Sequence, residues 1–179
     1  DGYVQQEIRL GRFIITPAGR VDHYNQFGTV FNPRFTTVVK VSSIWALSTN
    51  VARSYRIPSF LEWAAPYGNP DIKPELSWTY DLGSRLQLGN QELEVTGFFV
   101  NTKDRIVFGT TGYENRPRAE THGIETTLKG TIFSGENVKV TNTLGLTAQD
   151  SKANSFTKSQ YVNLRRTPRQ KAFAQIGIA

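Results

Sequence analysis

Apolar and polar residues alternate along most of this chain with a period of two. The clearest case is the segment 76–88. In it Trp78, Tyr80, Leu82, Leu86 and Leu88 share one parity, and Ser77, Thr79, Asp81, Arg85 and Gln87 share the other. Because successive side chains of a β-strand point to opposite faces, this pattern predicts a strand with one apolar and one polar face. The same rule predicts nine strands, at 3–10, 13–23, 34–41, 43–53, 76–88, 92–104, 121–132, 137–149 and 169–179.

The predicted connections between these strands alternate between short and long. The short ones lie at 11–12, 42–43, 89–91 and 134–136, and they contain Gly, Asn and Ser, which favour hairpin turns. The long ones lie at 24–33, 54–75, 105–120 and 150–168, and they are rich in Pro, Arg and aromatic residues. Outer-membrane barrels have short periplasmic turns and longer extracellular loops. The chain is therefore predicted to be all-β and to form an antiparallel transmembrane β-barrel, with its apolar parity toward lipid and its polar parity toward the lumen.

The composition excludes several other classes of protein. Only 38% of the 179 residues are hydrophobic, and no apolar run approaches the roughly 18 residues of a transmembrane helix. The chain has no Cys, so it has no disulfide and no thiolate for catalysis or for zinc. Its net charge of +6 is dispersed and comes without a basic-aromatic motif, so nucleic acid is not a predicted partner. No signal peptide begins at Asp1, and we expect a mature product or a fragment.

One pair of residues raises the question of catalysis. Asp22 and His23 are the kind of pair that activates water, but they are adjacent in sequence. Neighbours on a strand point to opposite faces, so the two side chains cannot act together in a lumen. His122 is the second of only two His residues, which is too few for a metal cluster. The sequence therefore predicts neither an enzyme, nor a metal site, nor a bound cofactor.

Eight motifs occur in the order found in the TonB-dependent outer-membrane receptors, and the chain resembles that family over nearly its whole length. They are GRVDHYNQFG at 19–28, FNPRF at 31–35, ARSYRIPSF at 52–60, GNPDIKPE at 68–75, Tyr80-x-x-Gly83, FFVNTKDRI at 98–106, RAETHGIE at 118–125 and LRRTPRQK at 164–171. The resemblance implies a barrel of about 22 strands with a plugged lumen, which imports a metal chelate with energy from an inner-membrane complex. The chelate is a ferric siderophore or cobalamin, and the compact loops favour cobalamin. A passive porin is the alternative, although no constriction loop lined by opposed charges is identifiable.

The resemblance also implies that the chain is one part of a larger protein. Nine strands cannot close a ring of about 22, so residues 1–179 are expected to belong to the C-terminal half of a receptor barrel. We expect an internal piece without a plug domain and without roughly the last four strands. Its partners would be the remaining strands of the same barrel, the TonB complex through the missing N-terminal plug, lipopolysaccharide and the metal chelate.

The family motifs supply a set of residues with an expected structural role. They are Pro58, Asn69, Pro70, Pro74, Glu75, Gly123, Glu125, Pro168 and Arg169. Residues that precede a proline are restricted to extended conformations, so the prolines of 68–75 are predicted to stiffen this loop. Glu75 shares the lumenal parity of its strand and is predicted to accept hydrogen bonds from Arg56 or from the loop backbone.

The predicted long loops also contain the candidate ligand contacts, namely Arg56, Trp63, Tyr67, Tyr113 and Arg116. Aromatic residues on the lumen side would stack on a planar ligand, whereas those at the interface would form the aromatic belt of a barrel. Further arginines in or beside these loops are Arg53, Arg118, Arg165, Arg166 and Arg169. Outward-facing arginines would bind lipopolysaccharide phosphates, and inward-facing ones would attract an anionic chelate. Solvated loop charge is the simpler interpretation of the same residues.

Overall fold

A computed structural model describes residues 1–154, 161–163 and 168–179, and these form one antiparallel sheet of 11 strands. The strands are β1 (Gly2–Gln5), β2 (Ile8–Leu10), β3 (Phe13–Tyr24), β4 (Gly28–Lys40), β5 (Trp45–Arg56), β6 (Glu75–Leu88), β7 (Gln91–Phe108), β8 (Tyr113–Ser134), β9 (Lys139–Asn154), β10 (Tyr161–Asn163) and β11 (Gln170–Ile178). A single-turn helix, α1 (Phe60–Trp63), lies between β5 and β6. Across the described residues, no helix has the length and apolar character needed to cross a bilayer.

The strands follow one another as a meander, which confirms the nine predicted strands. Each strand from β3 to β9 pairs with the next, and both β1 and β2 pair with β3, as both β10 and β11 pair with β9. The two ends of this order do not pair with each other in the part of the chain that the structure describes. The described sheet is therefore an open wall and not a closed ring.

A proline explains why the first predicted strand is divided into β1 and β2. The pairing of β1 with β3 stops at Gln5 and Ala18, and that of β2 begins at Ile8 and Ile15. Pro17 lies opposite the gap, where the sheet needs no N–H from β3. Its carbonyl oxygen still accepts a hydrogen bond from the backbone N–H of Gln6 at 3.1 Å.

Two of the predicted long connections, 24–33 and 105–120, are wrong. Strand β4 already begins at Gly28, so the first connection is only 25–27. Strand β7 continues to Phe108 and β8 begins at Tyr113, so the second connection is only 109–112. Pro33 and Pro117 suggested loops. A proline has no backbone N–H, but at both positions the neighbouring strand forms no ladder hydrogen bond that would require one. Pro33 pairs with Gly19 of β3 just before the ladder to β5 begins, at Arg34. The β7–β8 ladder is interrupted once, between the pairs Lys103–Arg118 and Arg105–Arg116, and Pro117 lies in this interruption. Opposite it is Asp104, whose φ is +52°.

The remaining long connections have different outcomes. The one between β5 and β6 is confirmed and spans 57–74, with α1 inside it. The one predicted at 150–168 starts later, because β9 continues to Asn154. Strand β10 (Tyr161–Asn163) also lies within the predicted loop, where it pairs with β9. The rest of the loop falls largely on 155–160 and 164–167, outside the described residues, as do Arg165 and Arg166.

The two faces of the sheet differ as the alternation predicts. The face that we call the outer face carries apolar side chains that are largely exposed, such as Leu82 (63%), Ile124 (56%) and Leu146 (61%). The opposite, inner face carries linked polar side chains: Asn50 Nδ2 donates to Asp81 Oδ2 at 2.7 Å, and Arg34 Nε donates to Asn50 Oδ1 at 2.8 Å. An apolar sheet face without a covering layer is stable in lipid and not in water.

Candidate functional site at the barrel rim

The connection 57–74, which we call the rim loop, is folded against itself by α1. Ser59 precedes the helix, and both its backbone N–H and its hydroxyl donate to Glu62 Oε2, at 2.7 and 2.9 Å. The backbone N–H of Asn69 donates to the carbonyl oxygen of Glu62 at 2.9 Å, which returns the loop to the helix. Gly68 is required at this return, because a Cβ there would lie 2.8 Å from the backbone N of Ala64.

The stiff stretch after the helix forms a turn. Asn69 Oδ1 accepts the backbone N–H of Asp71 at 3.0 Å, and its carbonyl oxygen accepts that of Ile72 at 3.1 Å. Pro70 occupies the second position of this turn, where its fixed φ is favourable. Ile72, at 3% exposure, is the most buried side chain of the loop. The turn therefore presents Pro70 outward while Ile72 anchors the loop.

An ion-pair cluster joins the rim loop to the ends of β5 and β6. The Arg56 guanidinium donates to Glu62 through Nη1 (3.1 and 2.9 Å) and Nη2 (3.1 Å), and to Glu75 Oε1 through Nη2 at 2.8 Å. The hydrogen bond to Glu75, with that to Glu62, raises the pKa of Arg56 although burial opposes this. Desolvation favours the protonated form of Glu62, but the hydrogen bonds from Arg56 and Ser59 outweigh it and lower the pKa of Glu62. The predicted Arg56–Glu75 hydrogen bond is confirmed.

Glu75 has a second partner that the sequence did not specify. Its Oε1 atom accepts the backbone N–H of Ile106 at 2.8 Å, and the carboxylate is nearly buried. The ladder between β6 and β7 ends at Leu76 and Lys103, so Ile106 has no partner strand on that side. The side chain of Glu75 thus satisfies a backbone donor that would otherwise be buried without an acceptor.

Asn115 of β8 holds the last part of the rim loop. Its amide pairs with the backbone of Lys73 in both directions, because Oδ1 accepts the Lys73 N–H at 2.8 Å and Nδ2 donates to the Lys73 carbonyl at 2.8 Å. The same Nδ2 donates to the carbonyl oxygen of Asp104 at 2.7 Å. One side chain therefore fixes the loop to the β7–β8 hairpin at a defined height.

Aromatic residues join the rim loop and the tip of this hairpin. The ring of Phe108 lies edge-on to Tyr67, with centroids 6.2 Å apart, and to Tyr113, with centroids 5.1 Å apart. The backbone N–H of Tyr113 also donates to the carbonyl oxygen of Tyr67 at 3.0 Å. Both Tyr67 (65%) and Phe108 (59%) remain largely exposed. Edge-to-face pairs of this kind are stabilising, and here they hold two largely exposed rings at the rim.

A cleft of about 370 Å³, which we call the rim cleft, lies between the rim loop and the hairpin tip. It is lined by Pro66, Tyr67, Gly68, Asn69, Pro70, Thr111, Gly112, Tyr113 and Glu114. Its walls come from two elements that are fixed to each other by hydrogen bonds, so the cleft is preformed.

The structure brings together only some of the predicted ligand contacts. Tyr67 and Tyr113 line the rim cleft, whereas Arg56 is engaged by Glu62 and Glu75 and has a structural role. Trp63 is half-buried on α1 and does not line the cleft. Arg116 forms an ion pair with Glu114 at 2.8 Å, beside the cleft.

Sequence reasoning missed three residues of this region: Glu62, Phe108 and Asn115. Phe108 ends the apolar run Ile106–Val107–Phe108, which is the signal that would have extended β7. Glu62 follows Ser59 with the Ser-x-x-Glu spacing of a capping box, which is the signal that would have identified it. Asn115 had no sequence signal, because its partner Lys73 lies in another element.

The other motif residues lie in two places. Pro58 is buried and Pro74 half-buried at the two ends of the rim loop. On the inner face, Glu125 is exposed, and a Cβ at Gly123 would lie 2.4 Å from the carbonyl oxygen of Ala148. Pro168 and Arg169 offer their carbonyl oxygens to Gln149, which donates from its side chain at 2.9 Å and from its backbone at 2.8 Å.

A meander with an exposed apolar outer face, a polar inner face and a structured loop at one rim defines part of the wall of an outer-membrane β-barrel. The sequence profile of the family "TonB dependent receptor-like, beta-barrel" matches residues 1–178. The chain belongs to this family, which is found in the outer membrane of Gram-negative bacteria.

Individual relatives agree with this assignment. The chain is 28% identical to the iron-regulated outer membrane virulence protein of Vibrio cholerae, over 87% of the chain and 28% of that protein. It is 27% identical to the probable TonB-dependent siderophore receptor PirA of Acinetobacter baumannii, over 51% of the chain and 15% of that protein. The fold is similar to that of the siderophore receptor PirA from Pseudomonas aeruginosa, with a TM-score of 0.70 and 19% identity, over 98% of the chain and 36% of that structure. The chain thus spans roughly a third or less of the relatives that it matches.

Proposed function

We propose that the receptor containing this chain imports a metal chelate, most specifically a ferric siderophore, across the outer membrane. The observation that carries the proposal is the rim cleft, whose aromatic wall of Tyr67 and Tyr113 stands at the loop end of a barrel wall. Two relatives are named as siderophore receptors, and another structure of similar fold is the ferric enterobactin receptor of Pseudomonas aeruginosa (TM-score 0.66, 17% identity). These names favour a siderophore over cobalamin.

The chemistry of the cleft suits a planar or aromatic chelate. Tyr67 is largely exposed and Tyr113 half-buried, so both rings offer surface for stacking. Their positions are fixed by Phe108 and by the hydrogen bond from the Tyr113 N–H to the Tyr67 carbonyl. A preformed site loses less conformational entropy on binding than a mobile loop would.

The remaining steps belong to the complete receptor. Residues 1–179 form part of the C-terminal half of its barrel and complete the ring with the other strands of the same protein. Uptake is driven by the TonB complex through an N-terminal plug domain, and lipopolysaccharide surrounds the outer face. Neither a catalytic step nor nucleic acid has a part in this function.

The proposal is tested by equilibrium binding of a ferric catecholate siderophore to the complete receptor in detergent. Tyr67→Ala and Tyr113→Ala should each weaken binding by about 1–3 kcal/mol if the rings stack on the ligand. Phe60→Ala is the matched control, because Phe60 is an equally exposed aromatic residue (72%) of the same loop that does not line the cleft. Unchanged affinity in both tyrosine variants, with correctly assembled barrels, would remove the rim cleft from the ligand site. Tight binding of cobalamin, without binding of the siderophore, would show that cobalamin and not a ferric siderophore is the substrate.

A further inference from the structure

The rim cleft contains a carboxylate, that of Glu114, which follows Tyr113 directly in β8. None of the other described residues that line the cleft is a lysine, an arginine or an acid. The cleft therefore presents a negative charge and no positive charge to a ligand. This arrangement is unexpected at the entrance of a receptor for metal chelates, because many chelates of iron are themselves anions.

The turn between β7 and β8 determines where the Glu114 carboxylate lies. The backbone N–H of Gly109 donates to the carbonyl oxygen of Gly112 at 2.8 Å, which closes the turn. A Cβ at Gly109 would lie 2.7 Å from Cδ of Glu114 and 2.9 and 3.1 Å from its two carboxylate oxygens. The Glu114 side chain thus occupies the space that a side chain at Gly109 would need, and it lies against the backbone of the turn.

An ion pair holds the same carboxylate from one side. Arg116 Nη2 lies 2.8 Å from Oε1 of Glu114, and the two residues share a face of β8 because they are two positions apart. The Glu114 side chain is 37% exposed and that of Arg116 only 25%. Of the two, only Glu114 lines the cleft. The pair therefore presents its negative end to the cleft and keeps its positive end outside.

A carboxylate in this position affects ligands according to their charge. Each further negative charge on a ligand adds a Coulomb repulsion from Glu114, and this repulsion is largest where water is partly excluded. Arg116 offsets the repulsion only in part, because it lies farther from the interior of the cleft. Stacking on Tyr67 and Tyr113 depends instead on the area and geometry of the rings.

The charge of the whole chain acts in the opposite direction. The chain has a net charge of +6 and attracts anions over long distances. This attraction brings every anionic chelate to the receptor, and it becomes stronger as the charge of the chelate increases. A local repulsive group is a common means by which a binding site rejects a close analogue of its ligand.

We propose that Glu114 is a specificity-determining residue, through which the rim cleft favours the less negative of two aromatic chelates of the same shape. The tyrosine rings bind the chelate, and Glu114 weakens the binding for each additional negative charge. The inference rests on the proposed function, because it requires that the chelate enters the rim cleft and stacks on Tyr67 and Tyr113.

The test compares two complexes of one tris-catecholate ligand. The iron(III) complex is a trianion, and the titanium(IV) complex is a dianion of similar octahedral shape. Equilibrium binding of both complexes to the complete receptor in detergent gives the ratio of their dissociation constants. Other loops of the receptor contribute to this ratio, so the measure of the Glu114 effect is the change in the ratio between variants.

The matched control is Glu120→Gln. Glu120 lies in the same strand as Glu114 and is also paired with an arginine, Arg118, at 2.9 Å, but it does not line the cleft. Glu114→Asp is a second control, since it keeps the negative charge. Both controls should leave the ratio close to that of the unaltered receptor.

We expect Glu114→Gln to shift the ratio toward the iron(III) complex by about threefold or more at low salt. The shift should become smaller as the salt concentration rises, because ions screen the repulsion. An unchanged ratio in Glu114→Gln, with correctly assembled barrels, would overturn the proposal. An equal shift in Glu120→Gln would overturn it as well, because the effect would then not come from the cleft.

The contribution of Arg116 is separated by a double variant, Glu114→Gln with Arg116→Gln. This variant should still favour the iron(III) complex more than the unaltered receptor does. A return to the unaltered ratio would assign the selection to Arg116 and overturn the role of Glu114. A receptor that binds neither complex would contradict the proposed function and this inference together, whereas binding of both complexes with an unchanged ratio would contradict this inference alone.

Discussion

The side chain of Glu75 accepts a hydrogen bond from the backbone N–H of Ile106, 31 residues further along the chain, at 2.8 Å. The same oxygen accepts a hydrogen bond from Arg56 at 2.8 Å. Glu75 therefore closes the upper end of β6 in two ways: it continues the pairing of β7, and it attaches the rim loop through Arg56 and Glu62.

Removal of the Glu75 carboxylate should loosen β7 at this point. Glu75→Ala leaves the Ile106 N–H without an acceptor in a buried position, at a cost of about 1–3 kcal/mol. Amide exchange at Ile106, measured in the complete receptor by hydrogen–deuterium exchange, should then be faster by about 5- to 150-fold. Glu75→Gln is the control, because its side-chain oxygen keeps the acceptor and should preserve most of the protection. Equal exchange in Glu75→Ala and the unaltered receptor would show that Ile106 has another acceptor.

The pKa of Glu62 gives the rim loop a defined pH dependence. Because this pKa is lower in the folded loop than the ordinary value of about 4.3, the Glu62 contacts stabilise the loop fully above about pH 4.3. That stability is lost as the pH falls through the folded value, while Arg56, whose pKa is raised, stays charged throughout.

We therefore expect the rim loop to remain docked at pH 7 and pH 5 and to loosen only below about pH 4. The difference in tryptophan fluorescence between the receptor and its Trp63→Phe variant reports the surroundings of Trp63 on α1. Glu62→Gln should abolish the acid transition. A transition centred near pH 6 would contradict the assignment, because the pKa of Glu62 lies below its ordinary value.

Leu82 tests which face of the sheet contacts lipid. It is 63% exposed on the outer face, so Leu82→Arg should destabilise the assembled barrel by about 2–4 kcal/mol if the residue is near the midplane. The matched control, Gln87→Arg, places the same side chain on the inner face of the same strand. Equilibrium folding into lipid vesicles measures both. A cost below about 0.5 kcal/mol for Leu82→Arg would move this residue out of the hydrocarbon region.

Gly123 and Gly97 should respond differently to the same added methyl group. A Cβ at Gly123 would lie 2.4 Å from the backbone oxygen of Ala148 and 2.8 Å from Cζ of Phe98, so the neighbouring strand would have to shift. Gly123→Ala should cost about 1–3 kcal/mol and reduce the yield of heat-modifiable receptor, whereas Gly97→Ala should not. Similar yields for the two variants would show that β9 adjusts at little cost.

Most of the sheet was predictable from the sequence because its two faces meet different solvents. The alternation around Leu82 and Asp81 fixed β6 to within one residue at its start, and similar patterns located the other strands. Pro33 and Pro117 led to the wrong prediction of loops at 24–33 and 105–120, because a proline is compatible with a strand wherever the neighbouring ladder is absent or interrupted. That condition depends on the register of another strand and is not visible locally.

The candidate site was predictable only in part. Tyr67 and Tyr113 were identified as aromatic loop residues, and the Arg56–Glu75 hydrogen bond followed from parity. Helix α1 was missed because one turn is too short to show a helical period.

The contacts of the rim loop also imply an order of events during assembly. Lys73 is held by Asn115, 42 residues later, and the Glu75 carboxylate meets Ile106, 31 residues later. A loop that precedes β6 thus receives its final attachments only from β7 and β8. The rim cleft is therefore completed only after the β7–β8 hairpin has formed, and a receptor that stopped assembling before that point would lack the cleft.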